Sequence, residues 1–261
     1  MVDPFSYQGD PDYWKKTHED LNLELATVVR CAWIANPPVS DLQLQLIPHY
    51  AGKHCLQSVR VSRLANEGAT PAVAVGLLRD AVEALSIVAL SISDDGKKAR
   101  LLDKWNKERL SAGELRKHLE REVWPNISIT GLWGETWADF WASLARSVQP
   151  YAHFSPLRMR WHQNVQFIEG QWHVLINHPS GDFEIYRAAR IVAFQLLIFW
   201  AFAELVCVFN GAPSNQLVQL ASHSQKAKEW LAKHDMFFQG KGWEIQLLPF
   251  VYPTGNEYWE T

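Results

Sequence analysis

IVAFQLLIFWAFAELVCVF, residues Ile191–Phe209, decides the fold. Of these nineteen residues only Gln195 and Glu204 are strongly polar. A helix that is apolar on every face has to be surrounded by protein or by lipid. The length is close to the roughly 20 residues that cross a bilayer. Two polar side chains within the run, and no second span of this kind, favour protein. The expectation is a buried central helix rather than a membrane span.

The rest of the chain must supply the shell around that helix. At 261 residues it lies at the upper end of a single domain. Apolar residues make up 48% and charged residues 20%, a globular rather than a disordered composition. Thirteen Trp is a high count, and each carries a large apolar surface with one N–H donor, suited to thick cores and half-wet rims. Cys31, Cys55 and Cys207 form no CxxC pair, and Cys31 and Cys207 sit in apolar contexts, so free thiols in a reducing compartment are expected. The N-terminus MVDPFSYQGDPDYW has no basic stretch followed by an apolar one. A cytoplasmic protein is expected.

Periodicity predicts the helices. Residues 12–36 place Leu21, Leu25, Val28, Val29, Ala32 and Trp33 on one face, and Pro37-Pro38 ends the run. A second helix is expected over residues 41–66, interrupted or restarted near Pro48. A third begins with Thr70 as N-cap and Pro71 in the first turn, and carries Leu77, Leu78, Ala81, Val82, Leu85, Val88, Ala89 and Ile92 at helical spacing. On its polar side Arg79 and Glu83 sit four apart, as an ion pair requires; with Asp80 they form a polar cluster that could face Arg146 or His153. Residues 97–124 read as two charged helices broken near Ser111-Ala112-Gly113. Thr136–Val148 and Ser214–His234 are further helices. Val165–Ile168 and Gln171–Ile176 alternate around Glu169-Gly170, the pattern of a small β-hairpin.

The fold class expected is therefore mainly α, a multi-helix bundle around a buried hydrophobic helix with a hairpin near residues 165–176. Residues 1–10 read as a loose leader and 11–249 as one helical domain, with a candidate subdivision near 156–165. Residues 250–261 read as an irregular tail.

Charge is unevenly distributed. The net charge of −3 argues against wholesale nucleic-acid binding. Yet Lys97–Arg121 holds nine Lys or Arg against four acids, and no acid occurs from Phe140 to Ile168. Cations mixed with flat rings suit a single-stranded nucleic acid. On that basis Lys97, Lys98, Arg100, Lys104, Tyr151, Arg158, Arg160 and Trp161 are the candidate binding residues. The alternative is a solvated helical face with the aromatics in the core.

One constellation has catalytic chemistry. In SLARSVQPYAHFSP, Arg146 and His153 lie seven positions apart, about two helical turns. An imidazole can move a proton at a ribose hydroxyl, and a guanidinium can stabilise charge on phosphorus oxygens, with no metal. Pro150 lies between them and would kink a continuous helix. The scattered His, including His173 and His178, lack partners at metal spacing, so no metal site is expected. Ser155 has no GxSxG elbow, and there is no GxGxxG or GxxxxGK[ST], so no cofactor is implied.

The Arg-x6-His spacing late in a helical array resembles the HEPN superfamily, and LLRDAVEALSIVALSISDD (77–95), the basic helices and WADFWASLARSVQPYAHFSP (137–156) also resemble bacterial helical families of similar organisation. The resemblance covers about residues 77–156. It implies a metal-independent endoribonuclease of toxin or phage-defence type, with Arg146 and His153 catalytic and a homodimer bringing two such pairs together. This chain departs from the pattern at Ser147, where the family carries Asn, Asp or His, and at Pro150. From the residues themselves the favoured reading is a helical interaction or scaffold module of a bacterial system, with RNA or a protein as partner.

Overall fold

The computed structural model describes residues 11–35, 42–68, 70–93, 96–149, 163–176, 181–209 and 215–233. Among them are eight α-helices: α1 (Pro11–Ala35), α2 (Leu42–Glu67), α3 (Pro71–Ile92), α4 (Lys98–Asn106), α5 (Ala112–His118), α6 (Trp137–Val148), α7 (Gly181–Phe209) and α8 (Asn215–Lys233). After α5 the backbone continues through a π turn, Leu119–Val123, and a 3-10 turn, Trp124–Asn126. The molecule is mainly α-helical. Strands β1 (Gln163–Ile168) and β2 (Gln171–Ile176) pair antiparallel, in register from Gln163↔Ile176 to Ile168↔Gln171. Their two-residue turn, Glu169-Gly170, has positive φ at both positions, 49° and 80°. That matches the twist of a two-residue hairpin.

Helix α7 is the axis of the bundle. Every side chain from Ile191 to Ala203 is fully buried, Gln195 included. Helices α1, α2, α3 and α8 all lie against it. Residues 188–208 form a stretch long and apolar enough to cross a membrane, and 83% of it is buried by the rest of the chain. Each fully buried Leu, Ile or Phe contributes about 1.5–3 kcal/mol, which makes this helix the main source of apolar stabilisation.

Hydrogen bonds tie α7 to its neighbours at three points. The Gln195 amide donates to Ser62 Oγ at 2.9 Å, and the Ser62 hydroxyl donates to the carbonyl of Ala74 at 2.9 Å. One chain of hydrogen bonds thus joins α7, α2 and α3. Further along, Ser224 Oγ of α8 donates to Glu204 Oε1 at 2.6 Å. At the other end Asn66 Nδ2 donates to the carbonyl of Ala188 at 2.9 Å.

Two local expectations change. Helix α2 runs through Pro48 without interruption. The ring removes one donor, but Leu44, Ile47, Ala51, Cys55 and Val59 continue a buried stripe on both sides of it, and that packing outweighs the lost bond. Thr70 occupies the N-cap position of α3 but makes no cap bond. Its hydroxyl and its N–H both donate back to the carbonyl of Ala65 at 2.8 Å. The short α2–α3 connection gives priority to the open carbonyls at the end of α2. Pro71 sits in the first turn as expected.

The aromatic cluster fixes α6. Phe140 meets Trp200 edge-on at 5.1 Å, Trp137 stacks on Phe140 at 4.9 Å, and Trp124 meets Trp141 at 5.6 Å. Trp124, Trp137, Trp141 and Trp200 are all buried. The edge-to-face contacts present ring edges to ring faces, the arrangement that aromatic quadrupoles favour.

His18 of α1 is buried, 5.0 Å from the ring of Phe199. Burial pushes its pKa down from 6.5 to about 3; the charge of Arg63 adds to this, and Gln195 opposes it. Burial likewise raises the Cys55 thiol, and raises Cys207 to about 11.

Leu197→Ala should lower the unfolding free energy by about 2–5 kcal/mol in a denaturant titration, because the site cannot refill. Exposed Leu23→Ala should shift it by less than about 0.5 kcal/mol. A native His18 held neutral means that the unfolded chain takes up the extra proton below pH 6.5, so stability falls on acidification. Between pH 6.5 and 5 the slope from this one group approaches about 1.4 kcal/mol per pH unit, and His18→Leu should remove it. Equal slopes for the two proteins would contradict the buried neutral imidazole.

Candidate functional site

The face of α3 turned away from α7 is the floor of a groove. Asp80, Glu83, Ala84 and Ile87 follow i, i+3, i+4, i+7 spacing and so share one side of the helix. With Tyr50, Ala51 and His54 of α2 and Trp105 of α4 they line a depression of about 490 Å³. Arg79, Val82, Glu83 and Ser86 repeat the same spacing one residue earlier. They line a second depression of about 260 Å³, walled by α5 (Ala112, Gly113, Leu115, Arg116) and the end of α6 (Ala145, Val148, Gln149). Glu83, Ile87 and Trp105 belong to both, so the two depressions form one continuous groove.

Several local features hold the walls. Ser111 caps α5 by a reciprocal box: its hydroxyl accepts from the Glu114 N–H, and the Glu114 carboxylate accepts from the Ser111 N–H at 3.0 Å. Those bonds from Ser111 hold the Glu114 carboxyl below its ordinary range, with Lys104 and Lys117 adding to the effect. Arg116 bridges the walls: Nη1 donates to Gln149 Oε1 at 2.8 Å, while Nε lies 3.4 Å from Glu120. At the open end Tyr50 is 60% exposed and Trp105 39% exposed, which leaves two large rings facing solvent.

The charges in the groove are of both signs. Arg79 and Glu83 form the expected ion pair, 2.6 Å apart. Asp80, half-buried on the adjacent side, has no cation against it among the described residues. Arg116 stands at one end of the groove, with Asp80 and His54 at the other.

The residues singled out from the sequence distribute differently. Arg79, Asp80 and Glu83 all line the groove, but Arg146 does not; it is exposed on α6, and its Nη2 donates to Ser143 Oγ at 3.1 Å. His153, Tyr151, Arg158, Arg160 and Trp161 lie outside the described residues. Part of the basic segment is committed internally. Lys97 lies 3.7 Å from Glu122, Lys98 Nζ donates to the carbonyl of Ser93 at the end of α3, and Lys107 pairs with Asp103 at 2.7 Å. Arg100 and Lys104 are exposed. No three His, Cys, Asp or Glu among the described residues group as a metal site needs.

Tyr50, His54 and Trp105 were missed in the sequence. The signal available was an aromatic on an otherwise polar helix face: Trp105 among the Lys and Asp of α4, and Tyr50 four residues before His54 on α2. No protein-family model, curated protein or solved structure matches this chain.

Because both rings are mostly outside the core, Tyr50→Ala and Trp105→Ala should each shift stability by less than about 1 kcal/mol, whereas buried Leu115→Ala should cost about 2–5 kcal/mol. Thermal or denaturant unfolding of the three variants checks this.

Proposed function

We propose that this protein is a helical interaction module that seats a segment of a protein partner in the groove over α3. The observation that carries the reading is the pair of exposed rings, Tyr50 and Trp105, on either side of a floor that combines Ala84 and Ile87 with Asp80 and Glu83. Exposed aromatics over a concave apolar surface are the usual anchors of a protein–protein contact. An RNA strand would need a surplus of cations along its path. Here Arg79 and Arg116 are balanced by Asp80 and Glu83, so the groove itself carries no surplus of cations.

The endoribonuclease reading stays as the alternative. It rests on Arg146, which is exposed near the end of α6 and reachable by a large substrate, and on His153.

Replacing His54 by photo-reactive benzoylphenylalanine, and irradiating the cells that make the protein, distinguishes the two. A discrete protein adduct that disappears in the Tyr50→Ala background is the expected result. Adducts with RNA alone, or RNA cleavage by the purified protein that Arg146→Ala abolishes, would overturn the module reading.

A further inference from the structure

The two ends of the groove differ in charge and chemistry, and this specifies what it takes. We infer that the groove recognises a polypeptide segment presenting a cationic side chain, Arg or Lys, next to an apolar one. The cation occupies the depression of Tyr50, Trp105, His54 and Asp80; the apolar side chain occupies the neighbouring depression walled by Val82, Ile87, Leu115 and Val148. This inference rests on the module reading and adds the identity of the bound chemistry.

Three observations support it. First, Asp80 is a half-buried carboxylate with no cation against it among the described residues, although its neighbour Glu83 is neutralised by Arg79 at 2.6 Å. A carboxylate removed from bulk water gains most from an incoming cation, and the bond to Arg or Lys is charge-assisted. Second, the same depression holds the rings of Tyr50 and Trp105. Ring faces attract cations by about 0.5–2 kcal/mol and do nothing comparable for an anion. Third, Val82, Ile87, Leu115 and Val148 give the adjoining depression of about 260 Å³ an apolar surface that an aliphatic side chain can cover. Glu83, Ile87 and Trp105 line both depressions, so one extended segment can reach the two. A phosphate in the first depression would face Asp80 and Glu83. Charge complementarity therefore favours a basic-apolar peptide over a nucleic acid.

The test uses the full-length protein and a synthetic array of acetylated, amidated hexapeptides, each position varied through Arg, Lys, citrulline, Glu and Leu. Bound peptides should carry Arg or Lys beside Leu, and citrulline in place of the Arg should weaken binding at least tenfold. Citrulline keeps the shape and removes the charge, so the loss reports charge alone. Asp80→Asn should abolish the Arg-over-citrulline preference, and Tyr50→Ala should weaken every bound peptide. Asp80→Ser repeats the measurement if the first variant unfolds. A preference that survives both Asp80 substitutions, a preference for Glu, or an array with no bound peptide overturns the assignment. If the protein adduct at position 54 persists in that case, the module reading stands and only the assigned chemistry falls; if that adduct is also lost, both fall.

Discussion

The rest of the structure depends on one hydrogen-bonded chain inside an otherwise oily interior: Gln195 to Ser62, and Ser62 to the carbonyl of Ala74. A helix that is apolar all round has no preferred rotation, because any face can be buried equally well. A single amide that must find its partner removes that freedom. An unsatisfied amide in such a place costs about 1–3 kcal/mol, enough to reject other rotations of α7 against α2 and α3. The Glu204–Ser224 bond fixes the helix against α8 in the same manner. Apolar burial provides the stabilisation, and these few polar contacts provide the alignment.

The groove follows from that alignment. Helix α3 buries Leu78, Ala81, Leu85, Val88 and Ala89 in the core, which turns Asp80 and Glu83 outward. The flanking walls come from two sources. Helix α2 is joined to α3 by a tight turn, which holds Tyr50 and His54 alongside it. Helix α6 is held by rings that meet Trp200 edge-on, which brings Ala145, Val148 and Gln149 to the other side. The groove is thereby built from packed helices rather than from loops.

Much of the fold was legible in the sequence because its signals are local and strong. The 191–209 run announced its own burial, and the 3.6-residue spacing of Leu78, Ala81, Val82 and Leu85 announced α3. Pro48 and Thr70 misled for a common reason: tertiary packing overrode a local propensity. The groove was legible only in part. Arg79, Asp80 and Glu83 stand out on an apolar helix, but Tyr50 and Trp105 are brought beside them by chain segments far apart in the sequence, and no spacing rule reports that. The Arg146–His153 pairing depends on backbone between α6 and β1, where Pro150 and Pro156 weaken every periodic signal.

The position of α7 along the chain has a consequence for how the molecule is made. Helices α1 to α3 leave the ribosome well before Gly181–Phe209, yet each has part of its surface covered by that later helix. At about 5–20 residues per second, the nascent N-terminal half spends several seconds with an unfinished interior. Long-range closure of this kind slows folding and leaves sticky surface on display in the meantime. The surface that the early helices turn toward α7 is thus covered last, by a single late segment.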